Sequence, residues 1–575
     1  MNNSVSRLLL LLIFVVSCNS QNDKKDRLNQ FAENEIKDRK DSLEIIDNRY
    51  STGKQYLSFS KIELNETRFE LTFEVKWDES WREGDEYDAA WTFIKKRMND
   101  GSWKHLIINP DAVKIESHNP SNDSEGIVRV SPDGVGMIIN RLRDGQGNNH
   151  WKIRVTLTKS EIENIKEFRV FGLEMVHVTK GPFELGTLKG ERDRREVLTQ
   201  GAGGAPYDPF FTYKSDAKNN YGGVFKVNSE ETINIGKQDG NLYWIDANIP
   251  GTNTFSGIPE GQLNPEFPKG VKGFYQMKYE LSQQEYCDFL NTLTREQQET
   301  RDFTKIMEFN RPISDYRNMI TKDGNGYYST TRPNRPCNFI SWLDGQAFAD
   351  WAGLRHMTEL EFEKSCRGPN KAVYREYVWG VNEIRDKSNM RYVEGFYEDG
   401  NLISEETGDE ETDGNIHASM FSYKNFIDVC TRQGNFYDPS SVGCRSFKGG
   451  DGGRGPVRKG IFGVTSGGNR IKAGATYFGA MEMGGNLQEP VVTIGHPSGR
   501  KFKGTHGNGE LTEKGFADNE DWQPVKNDYA FAGRGGCWKF HENHARTADR
   551  FKGLRQNEKR RASHIGFRGV RTAWN

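Results

Sequence analysis

The chain begins with a few polar residues and then runs without interruption through apolar positions from Leu8 to Val16. That run has signal-peptide length and is too short to cross a bilayer as a stable helix. From Asn19 to Asn48, Lys, Asp, Glu, Asn and Gln dominate, with only a weak helical spacing of Leu28, Phe31, Ile36, Leu43 and Ile46. Residues 18–50 therefore read as a polar tether. The period then becomes two. Phe69 to Val75 and Trp151 to Leu157 alternate apolar and polar residues, as strands with one buried face do. Trp91–Ile94 and Met137–Ile139 are further strand candidates, with turn clusters between them at Asn99-Asp100-Gly101, Asn119-Pro120-Ser121-Asn122 and Pro132-Asp133-Gly134. No long helix-period segment intervenes, so residues 51–171 are predicted to form an all-β sandwich. Beyond residue 174 the pattern is mixed. Strand-like Met277–Leu281 leads into Ser282, a helix N-cap, and an amphipathic stretch over Glu285–Asn291. The class expected for this second region, 174–575, is α+β.

Composition narrows the picture. Hydrophobic residues make up only 34% of the 575, but aromatics reach 12%, so Trp, Tyr and Phe must carry the core. Trp77, Trp81, Trp91 and Trp103 fit that role better than a ligand-binding face, because tryptophan usually buries most of its surface. The 61 glycines call for many turns. A formal net charge of −2 argues against a nucleic-acid binder, which would carry a basic face. No later segment is apolar for long enough to span a membrane. Of the seven cysteines, Cys430 and Cys444 bracket a short Gly- and Ser-containing loop and are the best candidate disulfide. Cys287 and Cys366 sit in helical patterns as small buried residues, and no CxxC exists to support a zinc ribbon or a thioredoxin-type motif.

Two resemblances add function. Arg7, the apolar run and Val15-Val16-Ser17-Cys18 resemble a lipoprotein signal peptide (1–17) and lipobox. They imply cleavage before Cys18, its acylation, and anchoring by lipid. The second resemblance is carried by segments in order: Gly181-Pro182-Phe183-Glu184-Leu185-Gly186, Pro336-Cys337-Asn338-Phe339, Trp351-Ala352-Gly353-Leu354-Arg355, Thr358-Glu359-Leu360-Glu361-Phe362, Trp379-Gly380, Met483-Gly484-Gly485-Asn486, Arg534-Gly535-Gly536-Cys537-Trp538, Arg546, Arg550 and Gly566-Phe567-Arg568. Together they resemble the formylglycine-generating enzyme (sulfatase-modifying factor) family, with long interruptions at roughly 187–270 and 369–478. The resemblance implies a C-type-lectin-like fold following the sandwich.

The resemblance also implies a chemistry, and here the chain departs from it. Active members bind copper through two cysteines and attack a substrate thiol, because soft sulfur ligands hold Cu(I). Phe540 and Ala545 stand at those two positions, and Cys537 occupies the usual serine position. No catalytic residue and no copper are therefore expected. His541, Glu542 and His544 are better read as surface or core residues than as ligands of the iron that other superfamily members use. A structural calcium site is carried over residue by residue: Glu482 and Glu489 through carboxylates, Gly485 and Leu487 through carbonyls, since hard oxygens in a turn suit Ca²⁺. The chain resembles gliding-motility and type 9 secretion lipoproteins of the Bacteroidota, which implies a scaffold or binding subunit in an outer-membrane protein complex. The alternatives are a metal-dependent oxidoreductase near Cys537, His541 and His544, and a glycan or protein-ligand receptor using loops at Asn219-Asn220-Tyr221 and Asn241-Leu242-Tyr243-Trp244.

Overall fold

The structure, a computed structural model, describes residues 57–118, 125–188, 209–217, 220–245, 257–384, 415–416, 418, 455–463, 468–522, 530–540, 542–550, 552–555 and 557–574. The signal peptide, the tether, Cys18, Cys430, Cys444, His541 and Asn219 lie outside the described residues. Among the described residues no helix is long and apolar enough to cross a membrane.

The alternating pattern becomes strand Glu70–Glu83, which buries Leu71, Phe73, Val75 and Trp77 on one face. It pairs antiparallel with Leu57–Asn65 on one side and Gly145–Thr156 on the other, and Val113–His118 lies beyond the latter. A tight turn after Glu83 brings the chain back as Glu86–Met98, the central strand of a second layer. Met137–Arg141 and Trp103–His105 flank one edge of that strand, and Ile165–Val178 flanks the other. Trp77, Trp151, Phe73, Ile153, Ala90, Ile94, Met137 and Ile139 fill the space between the two layers.

The second layer does not end where the first region was expected to end. Strand Ile165–Val178 runs through positions 171–174, and its last residues pair with Phe274–Met277. Gly569–Thr572 and then Arg355–His356 continue the same sheet. Glu86–Met98 is consequently covered on both faces. Ala90 and Ile94 point into the first core, whereas Ala89, Trp91 and Phe93 point into the second. The Trp91 indole donates a 2.7 Å hydrogen bond to the Ala352 carbonyl, tying the two regions through a fully buried side chain.

Trp77, Trp81 and Trp91 are core residues, and Trp103 is half-buried beneath the Arg169 guanidinium at 4.7 Å. Against the other face of the sheet pack helices Gln283–Leu290, Trp342–Trp351 and Glu359–Arg367. Each starts at a capping box, Ser282 with Glu285, Ser341 with Asp344 and Thr358 with Glu361, which satisfies amides that have no intrahelical acceptor. The interruption at 187–270 carries a small four-stranded sheet of Phe211–Thr212, Leu242–Tyr243, Ile233–Ile235 and Gly261–Leu263. The chain is thus a strand-rich α+β protein.

Candidate functional site

Strands Glu489–Val492 and Phe531–Arg534 pair antiparallel with Glu489 opposite Arg534, and this register brings two of the sequence motifs together. The turn before the first strand and the two glycines after the second interlock. The Gly485 amide donates to the Gly535 carbonyl at 2.7 Å, and the Trp538 amide donates to the Asn486 carbonyl at 2.8 Å. Gly535 has φ +80°, and a Cβ there would sit 2.4 Å from the Met483 carbonyl oxygen, so the close approach requires glycine. Asn486 also lies in the left-handed region, at φ 50°, which Asn tolerates. Its side chain donates to Glu280 Oε2 at 2.6 Å and accepts from the Val457 amide at 2.9 Å.

The arginines and glutamates of the motifs form buried ion pairs. From one helix, Glu359 accepts from Arg550 at 2.9 Å and Arg534 at 3.4 Å, Glu361 accepts two bonds from Arg355, and Glu363 accepts from Arg534 at 2.8 Å. Arg568 donates to Glu489 at 2.6 Å and to the carbonyls of Met277, Lys278 and Met481. These side chains are at most 1% exposed, so each charge depends on its partner.

Phe540 and Ala545, the residues expected at the two thiol positions that the resemblance implies, are both apolar and buried. Phe540 packs its ring 5.3 Å from that of His564 and 6.0 Å from that of His544, and Ala545 ends the short turn Glu542–Ala545. Cys537 is fully buried and makes no disulfide. His544 Nδ1 lies 3.3 Å from Asp549. Among the described residues no group of three or more His, Cys, Asp and Glu side chains is placed to hold a metal ion.

Glu482 and Glu489 stand at the two ends of the turn. Glu482 Oε1 accepts from the Gly460 amide at 2.9 Å, and Glu489 Oε1 takes the Arg568 bond. The second oxygen of each is buried without a hydrogen-bond partner. Burial pushes the Glu482 carboxyl up to about 7, against the pull of Arg568 and the Gly460 amide. Burial likewise raises Glu489 in spite of Arg568. Glu280, nearby in the same buried region, is raised well above its ordinary value, first by burial and further by the charges of Glu489 and Glu482. Each of the two carboxylates thus keeps one buried oxygen with no hydrogen-bond partner among the described residues, beside the positive charges of Arg568, Arg458 and Lys459. Sequence reasoning assigned no role to Glu280. Its signal was a glutamate wedged between Tyr279 and Leu281 just before a helix cap.

The aromatic rings of the loops read as candidate ligand contacts are buried, while Asn220 and Asn241 are half-buried. Trp244 is fully buried, packed edge-on to Phe210 and stacked under Arg550, while Tyr221 and Tyr243 close a small aromatic cluster with Phe211. An aromatic loop sequence does not distinguish a ring that meets solvent from one that folds back beneath an arginine.

An antiparallel sheet, three capped helices and a glycine-linked turn beside buried arginine–glutamate pairs define an α+β domain. The chain belongs to the family described as sulfatase-modifying factor enzyme 1-like, whose model matches residues 246–573. It is 41% identical over 69 residues to a formylglycine-generating enzyme of Thermomonospora curvata, covering 12% of this chain and 22% of that protein. To a formylglycine-generating enzyme of Mus musculus it is 29% identical over 137 residues, 20% of this chain and 36% of the relative. A hercynine oxygenase of Mycobacterium tuberculosis is 36% identical over 62 residues, 11% of this chain and 15% of the relative. These alignments span well under two thirds of the relatives' own lengths. The named relatives are enzymes.

Proposed function

We propose that this protein is a non-catalytic member of its family: a lipoprotein anchored through Cys18 that serves as a scaffold or binding subunit of an outer-membrane protein complex, of the gliding or type 9 secretion kind. The observation that carries the reading is the replacement of the two thiols by buried Phe540 and Ala545. A benzyl group and a methyl group neither bind Cu(I) nor exchange with a substrate thiol, and a lone buried Cys537 supplies one sulfur where the chemistry needs two. The finer fold reading belongs with this proposal, a C-type-lectin-like family domain behind a β-sandwich. So does a structural Ca²⁺ at Glu482, Gly485, Leu487 and Glu489, which when bound neutralises buried carboxylates and fixes the turn. The anchor rests on the lipobox alone.

The test is affinity purification of a chromosomally tagged copy from detergent-solubilised membranes. Partners are identified by mass spectrometry, metals are assayed on the same sample, and a cysteine-containing sulfatase peptide is offered as substrate. The expected result is a stoichiometric membrane-protein partner, no copper or iron, and an unmodified peptide thiol. An aldehyde on the peptide, or a solitary protein carrying a redox metal, overturns the reading.

A further inference from the structure

Where the shared sheet reaches the hairpin turn at Glu83–Glu86, three neighbouring strands place Tyr87, His177 and Tyr275 in one row. The rings of Tyr87 and His177 stack at 4.7 Å, His177 and Tyr275 lie 5.1 Å apart, and Trp574 meets Tyr275 edge-on at 5.5 Å. The row is fixed by hydrogen bonds. The two tyrosine hydroxyls are 3.0 Å apart, Arg129 donates to that of Tyr87 at 2.9 Å, and His177 Nδ1 bonds the Asp85 carbonyl at 2.6 Å. Burial lowers His177 to about 4, so it stays neutral at physiological pH.

These rings floor an open cleft of about 720 Å³, within the range of small-ligand sites, and Tyr477 stands on its wall. The hairpin contributes Glu83, Asp85 and Glu86, and Arg129, Lys180 and Lys272 oppose them. The cleft contains no residue of the 482–489 turn or of the 534–550 segment.

We propose that this cleft binds a neutral oligosaccharide. Its lining balances three carboxylates against three cations, so a polyanion or a basic peptide meets as much repulsion as attraction. A purely apolar ligand would strip water from those charges without compensation. A sugar suits both parts: its C–H face lies on the half-exposed Trp574 ring, and each hydroxyl donates to a carboxylate while accepting from an ammonium group. The inference is independent of the non-catalytic reading, since it uses neither the 482–489 turn nor the 534–550 segment, while Lys272, Tyr275 and Tyr477 come from the stretch that the family model matches.

The full chain is screened on an array of neutral and anionic oligosaccharides, and the tightest neutral binder is titrated calorimetrically. The result expected is retention of a neutral oligosaccharide. Its affinity falls tenfold or more in Asp85→Ala and in Lys272→Ala, whose exposed side chains leave the melting temperature unchanged, and falls further in Trp574→Ala. Retention of anionic glycans alone, retention of none, or a neutral ligand whose affinity is unchanged in both Asp85→Ala and Lys272→Ala overturns the proposal.

Discussion

Substitution of Glu359 is the sharpest test of the idea that buried ion pairs hold this domain. Its carboxylate is fully buried and collects bonds from Arg550 Nε at 2.9 Å, Arg550 Nη2 at 3.3 Å, Arg534 Nη1 at 3.4 Å, Thr493 Oγ1 at 2.8 Å and the Ile494 amide at 2.8 Å. In Glu359→Ala, Arg534 keeps Glu363, but Arg550 loses its carboxylate while remaining stacked at 4.0 Å over Phe210. Breaking a buried pair in this way costs about 3–5 kcal/mol, because the remaining charge is left uncompensated. Domain stabilities are about 5–15 kcal/mol, so the loss is about a fifth of the total or more. Urea denaturation at pH 7 is expected to show a large fall in midpoint at unchanged slope. A double-mutant cycle with Arg550→Met assigns the coupling to this pair. The pH dependence has a definite sign. Burial pushes Glu359 upward, but Arg550, Arg534 and the Thr493 hydroxyl outweigh it and hold the carboxyl below its ordinary value. Its contribution is therefore present above the unfolded value of about 4.3 and is lost as pH falls through the folded value. A cost below about 1 kcal/mol, the scale of a surface pair, would refute the reasoning.

Gly136→Ala places a Cβ 2.7 Å from the Trp91 ring and 2.8 Å from the Thr92 carbonyl, and should destabilise by about 1–3 kcal/mol in thermal unfolding; an unchanged melting temperature would contradict the packing around Trp91. Millimolar Ca²⁺ should raise the melting temperature over EDTA, and Glu489→Gln should abolish the difference; equal values with and without the ion in the unsubstituted protein would remove calcium from the turn. Asp350 is raised to about 7 by burial, while it caps the amides of Asn508 and Asp518. A raised carboxyl stabilises fully below its unfolded value near 4, an effect lost as pH rises through about 7. Asp350→Asn should therefore flatten the fall in melting temperature between pH 5 and pH 8, and an unaltered slope counts against the assignment. Glu174, also raised to about 7 by burial, keeps part of that slope in place.

The strands legible from sequence were those with one wet face. Glu70–Glu83 and Gly145–Thr156 alternate in burial and were found near their true positions. Glu86–Met98 was recognised only at Trp91–Ile94, because a strand buried on both faces has no alternation to read. Ile165–Val178 escaped for a related reason: its partners change along its length, from Glu86–Met98 to the distant Phe274–Met277, and no local pattern records the exchange. The helix after Ser282 is legible because its capping box announces it, and Ser341 and Thr358 carry the same signal for the other two. At the candidate cation site the two turn glutamates come from the resemblance. Glu280, Gly460 and Arg568 were not assigned to the site, since they arrive from three other places in the chain.

Family membership and activity rest on different residues in this fold. Glu359, Glu361, Arg534, Arg550 and Arg568 carry the resemblance, and every one of them is committed to a buried ion pair. Removing any one breaks at least one ion pair inside the core, so the folded state itself favours them whatever the chain does. Gly485 and Gly535 are demanded by their backbone conformations, at φ +86° and +80°, and at 535 also by the approach of the Met483 carbonyl. Nothing in the framework demands a thiol at 540 or 545, where Phe540 and Ala545 fill their space as ordinary core residues. The residues that carry the resemblance are thus fixed by the framework, whereas positions 540 and 545 are not, and the proposed non-catalytic reading rests on the latter alone. The sheet that continues from the family domain into the N-terminal strands, locked by Trp91 and by Arg571 between Gly353 and Asp133, shows the same scaffold extended with new surface.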